Sequence, residues 1–257
     1  MARPLRYFIP GNVWHITHRC HNRDFLLRYA FFRRYWVKWL FEGANRYEVA
    51  VLNFMVTSNH IHLLLLAPES MDGIPHLMQL VAGRTGQEYN KRKHRKGAFW
   101  EKRYHATAVQ RDEHLVRCLL YMDLNMCRAK VVNHPGEWKD CGYHEIVKPK
   151  QRYKIISRKD LAELLNIGEE ILSDQYKLWI DEALRKGSLV RDDIWTTQPA
   201  VGNEAYVNEI KSKLGYFVKG LSAKETRECV LKEEPAEYGK ECFKEDNTLE
   251  WDIFPEL

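Results

Sequence analysis

Two apolar runs joined by a short polar break, residues 48–67, constrain the fold more than any other part of the chain. The segment reads EVAVLNFMVTSNHIHLLLLA, and Thr57-Ser58-Asn59 form the break. Two apolar runs that flank a turn in this way are typical of a β-hairpin. From Leu63 onward the second run is apolar at every position, which indicates a strand that is covered on both faces and is central in its sheet.

Two histidines open this second run. Side chains alternate along a strand, so His60 and His62 are expected to point to the same face of the sheet. Two imidazoles held in this way are a candidate pair of ligands for a divalent cation. The alternative interpretation is a pair of partly buried histidines whose ring nitrogens bond to the backbone or to water.

The patterning of apolar residues predicts how the rest of the sheet is built. Strands are expected over residues 13–19 and 106–109, and helices over residues 29–46, 74–94 and 112–132. With the hairpin, the order is strand, helix, strand, strand, helix, strand, helix. A β-α-β-β-α-β order is that of a ferredoxin-like sandwich. We therefore expect an α+β fold, an antiparallel sheet with helices on one face, and one extra helix.

Charge is distributed unevenly along the chain. Residues 1–150 contain 24 Lys and Arg against 13 Asp and Glu, whereas residues 151–257 contain 16 against 22. The basic half also carries the two histidines, which suggests a polyanionic partner, although a solvated basic surface is the alternative. Positive charge is densest in KRKHRK, residues 91–96, at the end of the second predicted helix. Phosphate groups would relieve the repulsion within this run.

Several classes of protein are excluded by what the sequence lacks. No run of about 18 apolar residues could span a membrane, and the first residues, MARPLRYFIPG, lack the apolar core of a signal peptide. The six cysteines are scattered and include no Cys-x-x-Cys pair, which argues against a zinc ribbon or a disulfide framework. We therefore expect a cytoplasmic protein with no membrane partner.

The third predicted helix carries a polar stripe beside an apolar one. Arg117, Tyr121, Asn125 and Arg128 recur at helical spacing, and Tyr121 and Asn125 lie one turn apart. A tyrosine hydroxyl beside a metal ion and cations can attack a phosphodiester and hold the product covalently, and an amide can offer an oxygen to the same metal. The alternative is a tyrosine at the edge of the core.

These motifs together resemble the HUH one-tyrosine transposases, and among them the REP-associated tyrosine transposases. The resemblance rests on Thr57-Ser58-Asn59-His60-Ile61-His62-Leu63-Leu64 and on Tyr121-Met122-x-x-Asn125-x-x-Arg128-Ala129. That family also tends to show a Pro-Gly before the first strand, an Asn-Arg after it and Phe-x-x-Arg-Tyr/Phe before the last strand. The chain has these, in the same order, at Pro10-Gly11, Asn22-Arg23 and residues 99–104. The resemblance covers about residues 4–147.

The resemblance implies a function. His60 and His62 would bind Mg²⁺ or Mn²⁺, with Asn125 as a third ligand. Tyr121 would attack single-stranded DNA to give a 5′-phosphotyrosine link and a free 3′-hydroxyl, and the 3′-hydroxyl of another strand would reverse the reaction. The partner would be single-stranded or hairpin DNA, bound by a monomer or a homodimer. The residues expected to contact DNA are Arg19, Asn22, Arg23, Lys91, Arg92, Lys93, Arg95, Lys96, Lys102, Arg103, Arg117 and Arg128.

Two other interpretations remain open at this stage. One is a domesticated relative that holds structured nucleic acid without cutting it, and the other is a metal-dependent nuclease that uses water, with a structural Tyr121. The chain also departs from the family pattern, because members often have Pro where Met126 follows Asn125. Without that proline the third helix is expected to continue past Asn125.

The chain is expected to have three parts. Residues 1–147 would form the transposase domain. Residues 148–223 would form a small helical extension with helices over residues 158–165, 169–186 and 204–214. Residues 224–257 are highly charged and nearly patternless, so we expect a flexible tail.

Overall fold

The computed structural model describes residues 6–187 and 192–218, so the predicted tail lies outside the described residues. The strands of the described chain are β1 (Val13–Arg19), β2 (Ala50–Val56), β3 (His60–Leu66), β4 (His105–Val109) and β5 (Ala200–Val201). They form one sheet in the order β2-β3-β1-β4-β5. All neighbours are antiparallel except β4 and β5, which are parallel.

The helices complete the predicted topology. In the described chain they are α1 (Ala30–Arg46), α2 (Gly73–Arg92), α3 (Glu113–Asp123), α4 (Asn125–Arg128), α5 (Tyr143–Val147), α6 (Arg158–Leu164), α7 (Leu172–Arg185), α8 (Ile194–Thr197) and α9 (Glu204–Val218). The order β1-α1-β2-β3-α2-β4, with β1 and β3 at the centre, is a ferredoxin-like sandwich. The predicted α+β class is confirmed, and the sheet is mixed because β5 joins it in parallel. No helix among the described residues is long and apolar enough to cross a membrane.

The strand register assigns the side chains to two faces of the sheet. His15 pairs with Leu64 and Thr17 pairs with His62, and residues directly opposite each other point to the same side. His15 therefore shares a face with His60 and His62, as the alternation along β3 predicts. We call this face the histidine face. The residues that alternate with them, such as Leu63, point to the other face.

Helices α1 and α2 cover the face opposite the histidine face. Aromatic side chains of both helices belong to the core: Phe32 and Trp36 of α1 are buried, and the rings of Phe32 and Tyr89 lie 4.7 Å apart. The helices approach closely at Gly43, where a Cβ atom would lie 2.6 Å from a methyl carbon of Leu77. The absence of a side chain at this position therefore permits the close packing of α1 on α2.

The third helix differs from its prediction in position and in length. It lies on the histidine face, so the sandwich has helices on both faces, and only α1 and α2 match the expectation of one covered face. It is interrupted at Leu124, where ψ is 3°, and α4 ends at Arg128 instead of continuing to about residue 132. The Lys130 and Val131 amides donate to the carbonyls of residues 127 and 126, and Lys130 has a left-handed φ of 57°. This is a Schellman ending, which usually has glycine at the left-handed position.

The residues after α5 reach both edges of the sheet. At the β2 edge, Ile156 forms a parallel bridge with Val51, and the amide of Ser157 donates to the Val51 carbonyl. At the β4 edge, β5 adds a strand of two residues. Two otherwise unpaired edges are thereby covered. A separate domain over residues 148–223 stays a prediction, but its described part packs directly on the sheet.

A buried polar cluster connects the sheet to α3 and α7. The Tyr176 hydroxyl donates to Oδ2 of Asp123 at 2.5 Å, and Nδ2 of Asn53 donates to Oδ1 of the same carboxyl at 3.0 Å. All three side chains are fully buried. Burial raises the pKa of the Asp123 carboxyl to about 7, while the two hydrogen bonds oppose that rise. The cluster fixes α3, which carries Tyr121, against β2.

We predict that this cluster makes the stability of the fold depend on pH. The folded protein holds a proton on Asp123 at pH values where the unfolded chain has released it, so the free energy of unfolding should fall as the pH rises from about 4 to about 7. Each pH unit in this window carries at most about 1.4 kcal/mol. Urea unfolding across this range should show a flatter profile for Asp123→Asn than for the wild type. A profile unchanged by the substitution would contradict the prediction.

Candidate active site

The two histidines of β3 lie side by side at the start of the strand. The ring centroids of His60 and His62 are 5.0 Å apart, and the rings are inclined at 79°. His62 is 2% exposed, whereas His60 is only partly buried, so the pair runs from the interior towards the surface. Strand β3 therefore places His60 and His62 on the same face of the sheet, as predicted.

A chain of hydrogen bonds determines which nitrogen of His62 carries the proton. Nδ1 of His15 lies 3.1 Å from the carbonyl oxygen of Trp195, and Nε2 of His15 lies 2.9 Å from Nδ1 of His62. A carbonyl only accepts, so His15 donates through Nδ1 and its Nε2 accepts from Nδ1–H of His62. Nε2 of His62 therefore carries the lone pair. Burial lowers the pKa of His15 to about 3, which keeps its ring neutral.

A second chain of hydrogen bonds does the same for His60. Nδ2 of Asn59 donates to the carbonyl of Arg23 at 3.2 Å, which turns Oδ1 of Asn59 towards His60. Nδ1 of His60 lies 2.7 Å from that oxygen and 2.9 Å from Oγ1 of Thr57, whose hydroxyl donates to the His60 carbonyl. Nδ1 must therefore be the donor, and Nε2 of His60 also carries the lone pair. Both histidines thus have the tautomer that a metal ligand needs.

Asn125 completes this group of donors. Its side-chain nitrogen Nδ2 lies 3.2 Å from Nε2 of His62, in the orientation of a donor to that lone pair. Rotation of the amide would bring its oxygen towards the same place. The described residues contain no cluster of three or more His, Cys, Asp or Glu that could hold a metal ion. Two imidazole nitrogens and one amide oxygen nevertheless fit a divalent cation with open positions.

Tyr121 lies between these donors and the C-terminal extension. Its ring packs nearly perpendicular to His62 at 5.7 Å and lies 6.0 Å from the ring of Trp195. The guanidinium of Arg128 lies 4.6 Å from the ring centroid, and its Nη2 donates to the Tyr121 carbonyl at 3.0 Å. Tyr121 is 8% exposed. A tyrosine, a cation and two imidazoles of suitable tautomer therefore meet at one place.

A cavity of about 520 Å³ opens beside Tyr121, between α3 and the extension. We call it the extension cavity. Its lining residues are Arg117, Leu120, Tyr121, Leu124, Arg128, Trp179, Glu182, Ala183, Lys186, Asp192 and Trp195. It shares Tyr121 with the group around His62 but includes none of the three candidate ligands.

Some of the predicted DNA-contacting residues lie near His60. Arg19 is directly opposite His60 in the β1–β3 register. Asn22 and Arg23 form the turn after β1 and have left-handed φ values of 51° and 59°. The Arg23 carbonyl in this turn accepts the hydrogen bond from Asn59 described above. The Asn-Arg motif is therefore connected structurally to His60.

Other predicted contacts lie on a different part of the surface. The basic residues of the run at the end of α2 and beyond are Lys91, Arg92, Lys93, Arg95 and Lys96. The guanidinium of Arg92 lies over the ring of Phe31, and the ammonium of Lys93 lies over the ring of Tyr29, each at 4.1 Å. Lys102 and Arg103 are exposed between this run and β4. The segment that follows the run contacts the end of β1, where the amide of Glu101 donates to the Arg19 carbonyl.

Sequence reasoning missed two participants. His15 lies at an inward position of the predicted strand over residues 13–19, so its place on a sheet face could have been read from the alternation. Its contact with His62 depends on the pairing of β1 with β3, which no local pattern determines. Trp195 contributes only its carbonyl to His15, and no sequence signal indicates this role.

Parts of the chain resemble known proteins. Residues 11–121 match the model of a family described as transposase, IS200-like. A solved REP-associated tyrosine transposase bound to a REP hairpin matches with a TM-score of 0.46 and 16% identity, over 58% of this chain and 87% of that chain. A putative transposase from Deinococcus radiodurans R1 matches with a TM-score of 0.34 and 17% identity, over 46% of this chain and 92% of that chain. No curated protein matches the chain.

The family match begins just before β1 and ends on the tyrosine of α3. It therefore contains both histidines of β3 and Tyr121, in the order in which the motifs indicated a one-tyrosine transposase. Over residues 11–121, the chain is therefore similar to the IS200-like transposase family.

Proposed function

We propose that this transposase cleaves and rejoins single-stranded DNA through a covalent bond between Tyr121 and a 5′-phosphate. The observation that carries the proposal is the contact between Tyr121 and His62, whose ring centroids lie 5.7 Å apart, with Asn125 bonded to the same imidazole. A nucleophile in direct contact with candidate metal ligands is an arrangement that suits phosphoryl transfer.

Three side chains would hold the divalent cation. They are His60 and His62, each through Nε2, and Asn125 through its amide oxygen. When bound, Mg²⁺ or Mn²⁺ would polarise a phosphate oxygen of the DNA. His15 and Asn59 would orient the two imidazoles, because each holds the Nδ1–H of one ring.

The proposed chemical steps use Tyr121 as the nucleophile. Its hydroxyl oxygen attacks the phosphorus of a phosphodiester, the phenolic proton leaves, and a tyrosine–phosphate bond forms. The bond from phosphorus to the 3′-oxygen breaks, and that oxygen takes up a proton to become a free 3′-hydroxyl. A 3′-hydroxyl of another strand then attacks the phosphotyrosine and releases Tyr121. The guanidinium of Arg128, which lies against the tyrosine ring, would stabilise the negative charge that develops nearby.

The proposed substrate is single-stranded DNA, with hairpin or repeat DNA as its recognised form. The basic charge of residues 1–150 supports a polyanion, and the Arg19 and Asn22-Arg23 group lies next to His60. A monomer or a homodimer would act on it. We place this activity in the cytoplasm, in agreement with the four described cysteines, which are buried and unpaired.

We predict that Tyr121→Phe abolishes a covalent protein–DNA adduct. Wild-type protein should form an adduct with labelled single-stranded hairpin DNA from the flanks of its own gene, in Mn²⁺ or Mg²⁺, that survives a denaturing gel. Loss of the only attacking oxygen should lower adduct yield by at least about 10³-fold. The matched control is Tyr35→Phe, which removes a tyrosine hydroxyl on α1, on the other face of the sheet.

The outcomes of this experiment separate the proposal from its alternatives. Cleavage that continues without an adduct in Tyr121→Phe would identify a nuclease that uses water. Tight binding that needs no metal and gives neither cleavage nor adduct would identify a domesticated binding protein. Adduct that survives in Tyr121→Phe would move the nucleophile to another residue.

We predict that His15 controls the affinity of the site for a metal ion. His15→Leu removes the acceptor for Nδ1–H of His62, and loss of such an outer partner costs about 10–100-fold in affinity. His15→Gln should recover most of the loss, because an amide offers one acceptor to His62 and one donor to the Trp195 carbonyl. Binding of Mn²⁺ is measured from the electron paramagnetic resonance of the free ion.

A second readout tests the tautomer directly, without metal. In ¹⁵N-histidine-labelled wild type, Nδ1 of His62 should show the shift of a protonated nitrogen, and His15→Leu should show a mixture of tautomers. His76→Leu, a histidine on the distant helix α2, is the matched control. If Leu and Gln at position 15 give equal affinities and equal spectra, His15 has no positioning role.

A further inference from the structure

We propose that the extension cavity binds one unpaired nucleobase of the DNA strand that Tyr121 attacks. This inference rests on the proposed function, which it deepens by naming a recognition site for the substrate. The volume of the extension cavity, about 520 Å³, lies within the range of about 300–1,000 Å³ usual for small-ligand sites. A larger cavity of about 590 Å³ lies along β2, but none of the candidate site residues lines it.

The position of the cavity relative to Tyr121 supports this ligand. His62 packs against Tyr121 on one side, whereas the cavity is lined by Tyr121, Trp195 and residues of α7. A phosphate placed for attack by Tyr121 would therefore lie beside both the candidate ligands and the cavity. The nucleotide that adjoins that phosphate is the part of the strand within reach of the cavity.

The walls of the cavity suit a flat aromatic ligand. The floor is apolar and almost fully buried: Leu124 and Trp195 are each 1% exposed, and Ala183 is 7% exposed. Trp179 is only partly buried and presents an indole at the wall. Stacking on aromatic side chains is how proteins commonly hold unpaired bases.

The charges at the rim favour a base over a bare phosphate. Arg117 pairs with Asp192 at 3.5 Å, and Lys186 pairs with Glu182 at 2.6 Å, so two of the basic groups are balanced by carboxylates. A phosphate site would need unbalanced positive charge. The edge of a base carries both hydrogen-bond donors and acceptors. Carboxylates can accept from its donors, and guanidinium groups can donate to its acceptors.

One side of the cavity belongs to a part of the chain that the family match does not reach. The match ends at Tyr121, whereas Trp179, Ala183 and Trp195 lie in α7 and α8. The extension thus supplies most of one wall and part of the floor beside a nucleophile that the family domain supplies. Base preference at the cleavage site would therefore be a property of the extension.

The experiment combines a protein substitution with removal of a single base. Single-stranded oligonucleotides from the flanks of the gene carry one abasic residue, placed at each position in turn, and binding is measured by fluorescence anisotropy in EDTA. For wild type, one position should lose about tenfold or more in affinity when its base is absent. Trp179→Ala should bind the intact strand about tenfold more weakly and be indifferent to the base at that position. At every other position, removal of the base should lower the affinity of the wild type and of Trp179→Ala by the same factor.

Two further variants keep the test decisive. We call the loss of affinity at each abasic position the abasic profile. Trp39→Ala makes the same substitution in a partly buried tryptophan of α1 and should retain the wild-type abasic profile. Ala183→Phe fills the cavity without removing its wall and should reproduce the profile of Trp179→Ala, with a melting temperature close to that of the wild type. Agreement of two opposite changes, one truncating and one filling, excludes general misfolding as the cause.

Failure of this inference can be told apart from failure of the proposed function. If the wild type forms a Tyr121 adduct but Trp179→Ala and Ala183→Phe keep its abasic profile, the cavity binds no base while the chemistry stands. If the abasic coupling appears without any adduct, the base site stands and the cleavage proposal falls. Wild-type protein that binds none of the strands overturns both.

Discussion

The hydrogen bond between His15 and His62 is the interaction on which the candidate site depends. It joins the two central strands of the sheet on their histidine face and is fully buried, where a polar group without a partner would be costly. Because His15 also bonds to the Trp195 carbonyl, the orientation of His62 depends on three separate parts of the chain. His62 in turn contacts Tyr121 and Asn125, so the position of the proposed nucleophile follows from one buried pair of rings.

The extension therefore has a structural reason to accompany the family domain. Trp195 provides the carbonyl for His15, its ring packs against Tyr121, and Tyr176 of α7 holds the carboxyl of Asp123 on the same helix as the tyrosine. Strand β5 then attaches α8 to the sheet through the edge of β4. Removing these residues would expose an unpaired edge and take away the partners of Nδ1 of His15 and Oδ2 of Asp123, which are both buried.

The parts that sequence alone could predict are those encoded by local periodicity. Alternation in β3 placed His60 and His62 on one face, and the order of elements indicated the ferredoxin-like sandwich. The hydrogen bond between His15 and His62 was not predictable, because the register of β1 against β3 arises from tertiary pairing. The end of the third helix was predicted too late, at about residue 132. The left-handed position after the helix is occupied by Lys130 and lacks the glycine that usually marks a helix end. Strand β5, with two residues, is too short to leave a periodic signal.

The chemistry of the donors explains why metal and DNA binding should be coupled. His60, His62 and Asn125 contribute no negative charge, and the carboxyl of Asp123, two residues before Asn125, bonds instead to Asn53 and Tyr176. A hard dication prefers oxygen ligands and carries charge that this set does not balance. A phosphate of the DNA supplies both an anionic oxygen and the missing negative charge. In the proposed reaction, this set would therefore hold the cation weakly by itself and firmly only when the strand to be cut is in place, and cleavage would be limited to bound substrate.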